Sequence, residues 1–103
     1  MKLAEVSQVP DGCVLHVEVG DASGRCDAVA ICNVEGALHA MDGICPHAGG
    51  PLGEGALHGR FLVCPYHGWA FDCVTGLNAE DDAVRQARFK VKVEGKDILV
   101  DLP

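Results

Sequence analysis

Residues 13–19, CVLHVEV, set Cys13, Leu15, Val17 and Val19 on one side and Val14, His16 and Glu18 on the other. This period of two predicts a half-buried strand. Residues 28–34, AVAICNV, form an almost unbroken apolar run, and ALHAM follows at 37–41 after Glu35-Gly36, so the two segments read as a hairpin. A second hairpin closes the chain. In RFKVKVE at 88–94, Phe89, Val91 and Val93 alternate with Lys90, Lys92 and Glu94, and the chain turns at Gly95-Lys96-Asp97 into ILVDL at 98–102. Between the hairpins lie two loops rich in Gly and Pro, 42–55 and 64–69, bridged by the apolar strand FLVC at 61–64. No helical period, internal repeat or linker interrupts this order. The pattern predicts an all-β domain spanning residues 1–103, an antiparallel β-sandwich or barrel with a small loop-built subdomain at about residues 42–76.

Composition supports a packed core: 49% of the residues are hydrophobic and 22% charged. A core of this size is modest, and a metal staple would strengthen it. The N-terminal MKLAEVSQVPDG holds no apolar run of signal-peptide length, and nowhere do eighteen apolar residues follow one another, so the chain reads as cytoplasmic and soluble. Fifteen acidic residues against eight basic ones give a formal charge of −7, which disfavours nucleic acid and anionic membranes as partners. The plainest role of that charge is solubility. A sharper one is steering toward a basic partner, with NAEDDAV at 78–84 as the patch, although a solvated loop is the simpler explanation of that run.

Six cysteines in a short chain suggest either disulfides or metal, and without an export signal metal is the better reading. Cys13, Cys26, Cys32 and Cys73 are scattered among apolar neighbours and read as buried free thiols. Cys45 and Cys64 differ, because His47 follows the first by two residues and His67 follows the second by three. The bland alternative is two core cysteines and two surface histidines, but the doubled arrangement argues against it. Sixteen residues separate His47 from Cys64, enough for an out-and-back hairpin that brings four ligands together. Thiolates favour ferric charge and neutral imidazoles leave their iron easier to reduce, so a mixed set suits a two-iron cluster with unlike sites. Pro46 and Pro65 fix φ after each cysteine, and Gly49, Gly50 and Gly68 permit close backbone approach. Tetrahedral zinc competes on donor type, yet structural zinc sites pair like ligands rather than repeating Cys-His.

C-P-H-A-G-G at 45–50, C-P-Y-H-G-W at 64–69 and F-D-C-V-T-G at 71–76 resemble the two cluster loops and following turn of Rieske-type [2Fe–2S] proteins, with strand patterns extending the match over nearly the whole chain. The resemblance implies that Cys45 and Cys64 hold one iron and His47 and His67 the other, with one cluster per chain. Respiratory-chain members carry a membrane anchor and two further cysteines that form a disulfide between the loops; the matching positions here are Gly50 and Tyr66, and no anchor is visible. High-potential members also place a Ser immediately after the second loop's His-Gly, where this chain has Trp69. The chain is therefore more similar to the ferredoxins of bacterial aromatic-ring dioxygenase systems, or to the small Rieske subunit of assimilatory nitrite reductase.

Tyr66 is expected between the loops where the disulfide would lie, and Trp69 to shield the cluster or fill the core. His16, His39 and His58 fall outside the ligand spacing, and Asp72 to Gly76 reads as a turn. In this family a proline-containing segment often passes over the cluster, whereas 78–87 has no proline. The resemblance implies a low-potential electron carrier, not itself an enzyme. Its partners would be a flavoprotein reductase and a terminal oxygenase, with no small-molecule substrate of its own. A Rieske oxygenase would also need a mononuclear iron held by two histidines and a carboxylate in a substrate domain, which these residues do not supply.

Overall fold

The computed structural model describes residues 2–19, 28–45, 49–66, 68–81 and 83–102. Both predicted hairpins are present. Strands β3 (Ala28–Val34) and β4 (Ala37–Asp42) are joined by a two-residue turn with φ of 54° at Glu35 and 87° at Gly36. Positive φ at both positions matches the right-handed twist of the flanking strands. The turn is anchored by Asn33, whose Oδ1 accepts from the Gly36 amide at 2.9 Å and whose Nδ2 donates to the Val9 carbonyl at 2.8 Å. β8 (Arg88–Glu94) and β9 (Asp97–Asp101) form the other hairpin, turning where Gly95 has φ of 61°.

With β1 (Lys2–Glu5) and β2 (Val14–Glu18), these strands form an antiparallel sheet in the order β1-β9-β8-β4-β3-β2. The near-unbroken apolar run of β3 has a direct cause: the strand is covered on both faces. Val29 and Ile31 point into a cluster with Ala4, Val9, Ala40, Ile98 and Val100, around which the sheet curls so that β1 and β9 meet β3. Ala30 and Cys32 point the other way, into a second cluster with Met41, Leu52, Leu62 and Phe71. The first cluster holds the sheet together; the second glues the predicted subdomain onto its outer face.

That subdomain is not loops alone. Three short strands, β5 (Ala56–His58), β6 (Phe61–Val63) and β7 (Ala70–Asp72), form an antiparallel sheet of their own beneath the loops. Of the three, only β6 was legible, since three residues are too few to show a period. β1, with four residues, is also too short to show a period. The turn at 72–76 is as expected. Asp72 is 4% exposed, its Oδ1 accepts from the Val74 amide at 2.8 Å, and its Oδ2 accepts from Arg60 Nε at 2.7 Å.

Two expectations need correcting. Cys13 is exposed, not a buried thiol, because β2 begins only after it, at Val14. Val93 is 47% exposed, although Ile98, opposite it in register on β9, is buried in the core. Cys26 lies outside the described residues. Among the described residues no helix is long and apolar enough to cross a membrane.

Candidate metal centre

The first loop is shaped by its own backbone. The Cys45 amide donates to the Gly50 carbonyl and the Gly49 amide to the Cys45 carbonyl, both at 2.8 Å, so the chain folds back on itself around Cys45. Gly49 has φ of 68°, a conformation glycine adopts without strain. At the foot of the loop, the Leu52 amide donates to the Gly43 carbonyl at 2.8 Å, and Asp42 Oδ1 accepts from the Ile44 amide at 3.0 Å. In the second loop the Cys64 amide donates to the Trp69 carbonyl at 2.7 Å, and Gly68 at φ of 72° makes the return possible.

These loops bring the two predicted sulfur ligands together. Cys45 and Cys64 are each 1% exposed and belong to one apolar cluster, with their thiols close enough to interact. Burial pushes the Cys64 thiol above the ordinary cysteine range; the Tyr66 amide, donating to its Sγ at 3.4 Å, opposes the shift, and the Cys45 thiol adds to it. A thiol raised this way, like that of Cys64, ionises readily only when a metal cation takes the place of its proton. The site is also cut to the size of backbone. A Cβ added at Gly50 would fall 3.0 Å from Cys64 Sγ and 2.9 Å from the Tyr66 ring. Tyr66 thus lies between the loops as expected, while remaining 52% exposed at the tip. Buried sulfurs, an amide aimed at one of them and glycine against the same atom fit an iron–sulfur cluster.

His47 and His67, with Pro46 and Ala48, lie outside the described residues, so the geometry covers two of the four expected ligands. Among the described residues no group of three or more His, Cys, Asp or Glu is gathered as a metal site. The remaining histidines sit on strands. His16 lies on β2, and His58 on β5. His39 lies on β4, where burial first and then the Arg88 guanidinium hold its pKa below the usual range.

The segment after the turn carries a residue that the sequence reading missed. Gln86 is buried, and its Nε2 donates to the Asp42 carbonyl at 2.7 Å and the Ile44 carbonyl at 2.6 Å, immediately before Cys45. Its own amide donates to the Gly76 carbonyl at 2.7 Å. Residues 84–86 are thus a strap that carries the base of the first loop, with Val84 packed on the core beside Trp69. No motif announces such a contact across 42 residues. Gln86→Leu is expected to lower unfolding stability by about 1–3 kcal/mol, because the carbonyls lose a partner that an isosteric apolar group does not replace. Chemical denaturation measures this; an unchanged midpoint would show that water replaces the amide at no cost.

A profile of the Rieske [2Fe-2S] domain matches residues 1–93. The chain is 36% identical over 103 residues to the biphenyl 2,3-dioxygenase ferredoxin component of Rhodococcus jostii (strain RHA1), covering 98% of this chain and 91% of that one. It is 32% identical over 96 residues to the ferredoxin component of the naphthalene 1,2-dioxygenase system of Pseudomonas aeruginosa, covering 92% and 88%. The solved Sphingomonas yanoikuyae B1 ferredoxin superposes with a TM-score of 0.85 at 29% identity, over 100% of this chain and 98% of that chain. The chain belongs to the Rieske [2Fe–2S] domain family, and it carries that family's cluster.

Proposed function

We propose that this protein is a one-electron carrier in which Cys45 and Cys64 hold one iron and His47 and His67 the other, taking electrons from a flavoprotein reductase and passing them to a terminal oxygenase of the aromatic-ring dioxygenase type. The observation that carries this reading is the meeting of the Cys45 and Cys64 thiols, one from each Cys-Pro loop, at a buried point directly under an exposed tip. Bound there, a [2Fe–2S] cluster accepts and releases a single electron. The chain's own part is structural. Leu52, Leu62 and Phe71 keep water from the sulfurs, and the Tyr66 amide points at one of them. Pro65, Tyr66 and Gly68 leave the outer side of the second loop open to an encounter. Both relatives above 30% identity are dioxygenase ferredoxin components matched over most of their length, which favours an oxygenase over a nitrite reductase as electron acceptor. A reconstitution with candidate reductases and oxygenases, following cluster oxidation, tests the reading. Co-purification with a large sirohaem flavoprotein would instead assign the protein to nitrite reduction.

The exposed Glu80 and Asp81 line a shallow cavity with Gly68, Trp69 and Ala70, next to the second loop. Acidic groups placed there favour a basic partner surface. Electron transfer to the physiological partner is expected to slow as salt rises, since the screening length shrinks from about 8 Å at 0.15 M to about 3 Å at 1 M. A rate indifferent to salt over that range would leave the charge a solubility role only.

A further inference from the structure

Two thiols that have no part in holding iron are brought together. Cys32 lies in β3 of the large sheet, and Cys73 follows β7 of the small one. Both are 0% exposed, and both belong to the cluster that joins the two sheets. Their sulfurs lie close enough to interact electrostatically, and both are free thiols in this structure. Neither backbone has room to drift. Cys32 is in register between Val14 of β2 and His39 of β4. The Cys73 amide donates to the Arg60 carbonyl at 2.8 Å, and its carbonyl accepts from Arg88 Nε at 3.1 Å.

We propose that Cys32 and Cys73 are a disulfide-forming site, closed by hydrogen peroxide, whose bond ties the cluster-bearing sheet to the large sheet. Cys32 is enclosed in the middle of β3, whereas Cys73 borders the exposed Val74 and Thr75 and lies beside the Arg88 guanidinium, so Cys73 is the nucleophile. Its thiolate attacks a peroxide oxygen; the S–O bond forms, the O–O bond breaks, and the departing hydroxide leaves as water with the proton that Cys73 gave up. The Cys32 sulfur then attacks the sulfenic sulfur; the S–S bond forms, the S–O bond breaks, and the released hydroxide takes the Cys32 proton and leaves as water. Two thiols have lost two electrons, and one peroxide has been reduced to two waters. Full burial excludes bulky disulfides such as oxidised glutathione and admits only a small oxidant, which reaches Cys73 from the side of the 72–76 turn. The turn's outer residues Val74 and Thr75 are exposed.

The test treats the cluster-loaded protein with hydrogen peroxide at increasing ratios, followed by alkylation and non-reducing peptide mapping, with the visible spectrum recorded in parallel. A Cys32–Cys73 linked peptide is expected while the cluster spectrum persists, reversed by dithiothreitol and accompanied by a higher denaturation midpoint. Cys73→Ser and Cys32→Ala should each remove the linked peptide, and either variant that folds suffices. The proposal is overturned if both thiols remain alkylatable, if either goes to sulfinic acid without linking, or if the link appears only after the spectrum has bleached. A link at equal yield to Cys13 would also overturn it.

Discussion

Replacing either His47 or His67 by Ala is expected to empty the site of iron, while His39→Ala and His58→Ala keep both irons and an unchanged visible spectrum. The asymmetry follows from where the protein puts its sulfur. Cys45 and Cys64 meet in the core and can satisfy one iron between them; the second iron of a [2Fe–2S] cluster then needs two donors of its own at the same place. His47 and His67 are the ones within two and three residues of the cysteines, whereas His39 and His58 are fixed on β4 and β5 by strand pairing. Loss of one imidazole leaves an iron open to water, and the cluster falls apart during purification. Iron and acid-labile sulfide analysis reads the outcome. A His47→Ala protein that keeps two irons, or a His58→Ala protein that loses them, would show that the ligand set is wrong.

A reduction potential near the bottom of the Rieske range, about −150 to +300 mV, is the second large effect expected. Hydrogen bonds to the sulfurs stabilise the added electron and raise the potential. Among the described residues the Tyr66 amide, at 3.4 Å, donates to Cys64 Sγ. Position 69 is a tryptophan, half-buried and tilted against Phe71 with ring centroids 6.5 Å apart, so it offers no hydroxyl to a bridging sulfide. Gly50 and Tyr66 face each other where a disulfide would otherwise join the loops. A formal charge of −7 further disfavours an extra electron. Protein-film voltammetry gives the midpoint directly. A value well above zero would place the protein with the high-potential type despite its missing serine and cysteines.

Residue order alone made the two hairpins legible because each strand there is long enough to show its period and each turn has residues suited to it. Glu35-Gly36 and Gly95 did that work, and β8 was bounded at Arg88–Glu94 from alternation alone. That Cys45 and Cys64 would be brought together was legible for a different reason: a Cys-His pair at short spacing, doubled on two loops, survives local variation in loop shape. β5 and β7 were not legible, since three-residue strands exist only through pairing with β6. Gln86 and the Cys32–Cys73 pair were hidden more deeply. Each joins residues about forty positions apart through packing of one sheet on another, and no local pattern encodes which buried polar group or thiol will meet which. The exposure of Cys13 shows the converse, an apolar-looking position left outside because the strand starts one residue later.

Mössbauer spectroscopy of ⁵⁷Fe-enriched protein tests the ligand assignment most directly, because thiolate and imidazole ligation make the two irons unlike. Two ferric sites of equal area are expected in the oxidised protein. One-electron reduction should convert only one of them, the imidazole-ligated iron, to the ferrous state, since thiolates hold their iron ferric. Two equivalent irons, or a protein that binds stoichiometric zinc in place of iron and sulfide, would contradict the assignment of Cys45 and Cys64 to one metal and His47 and His67 to the other.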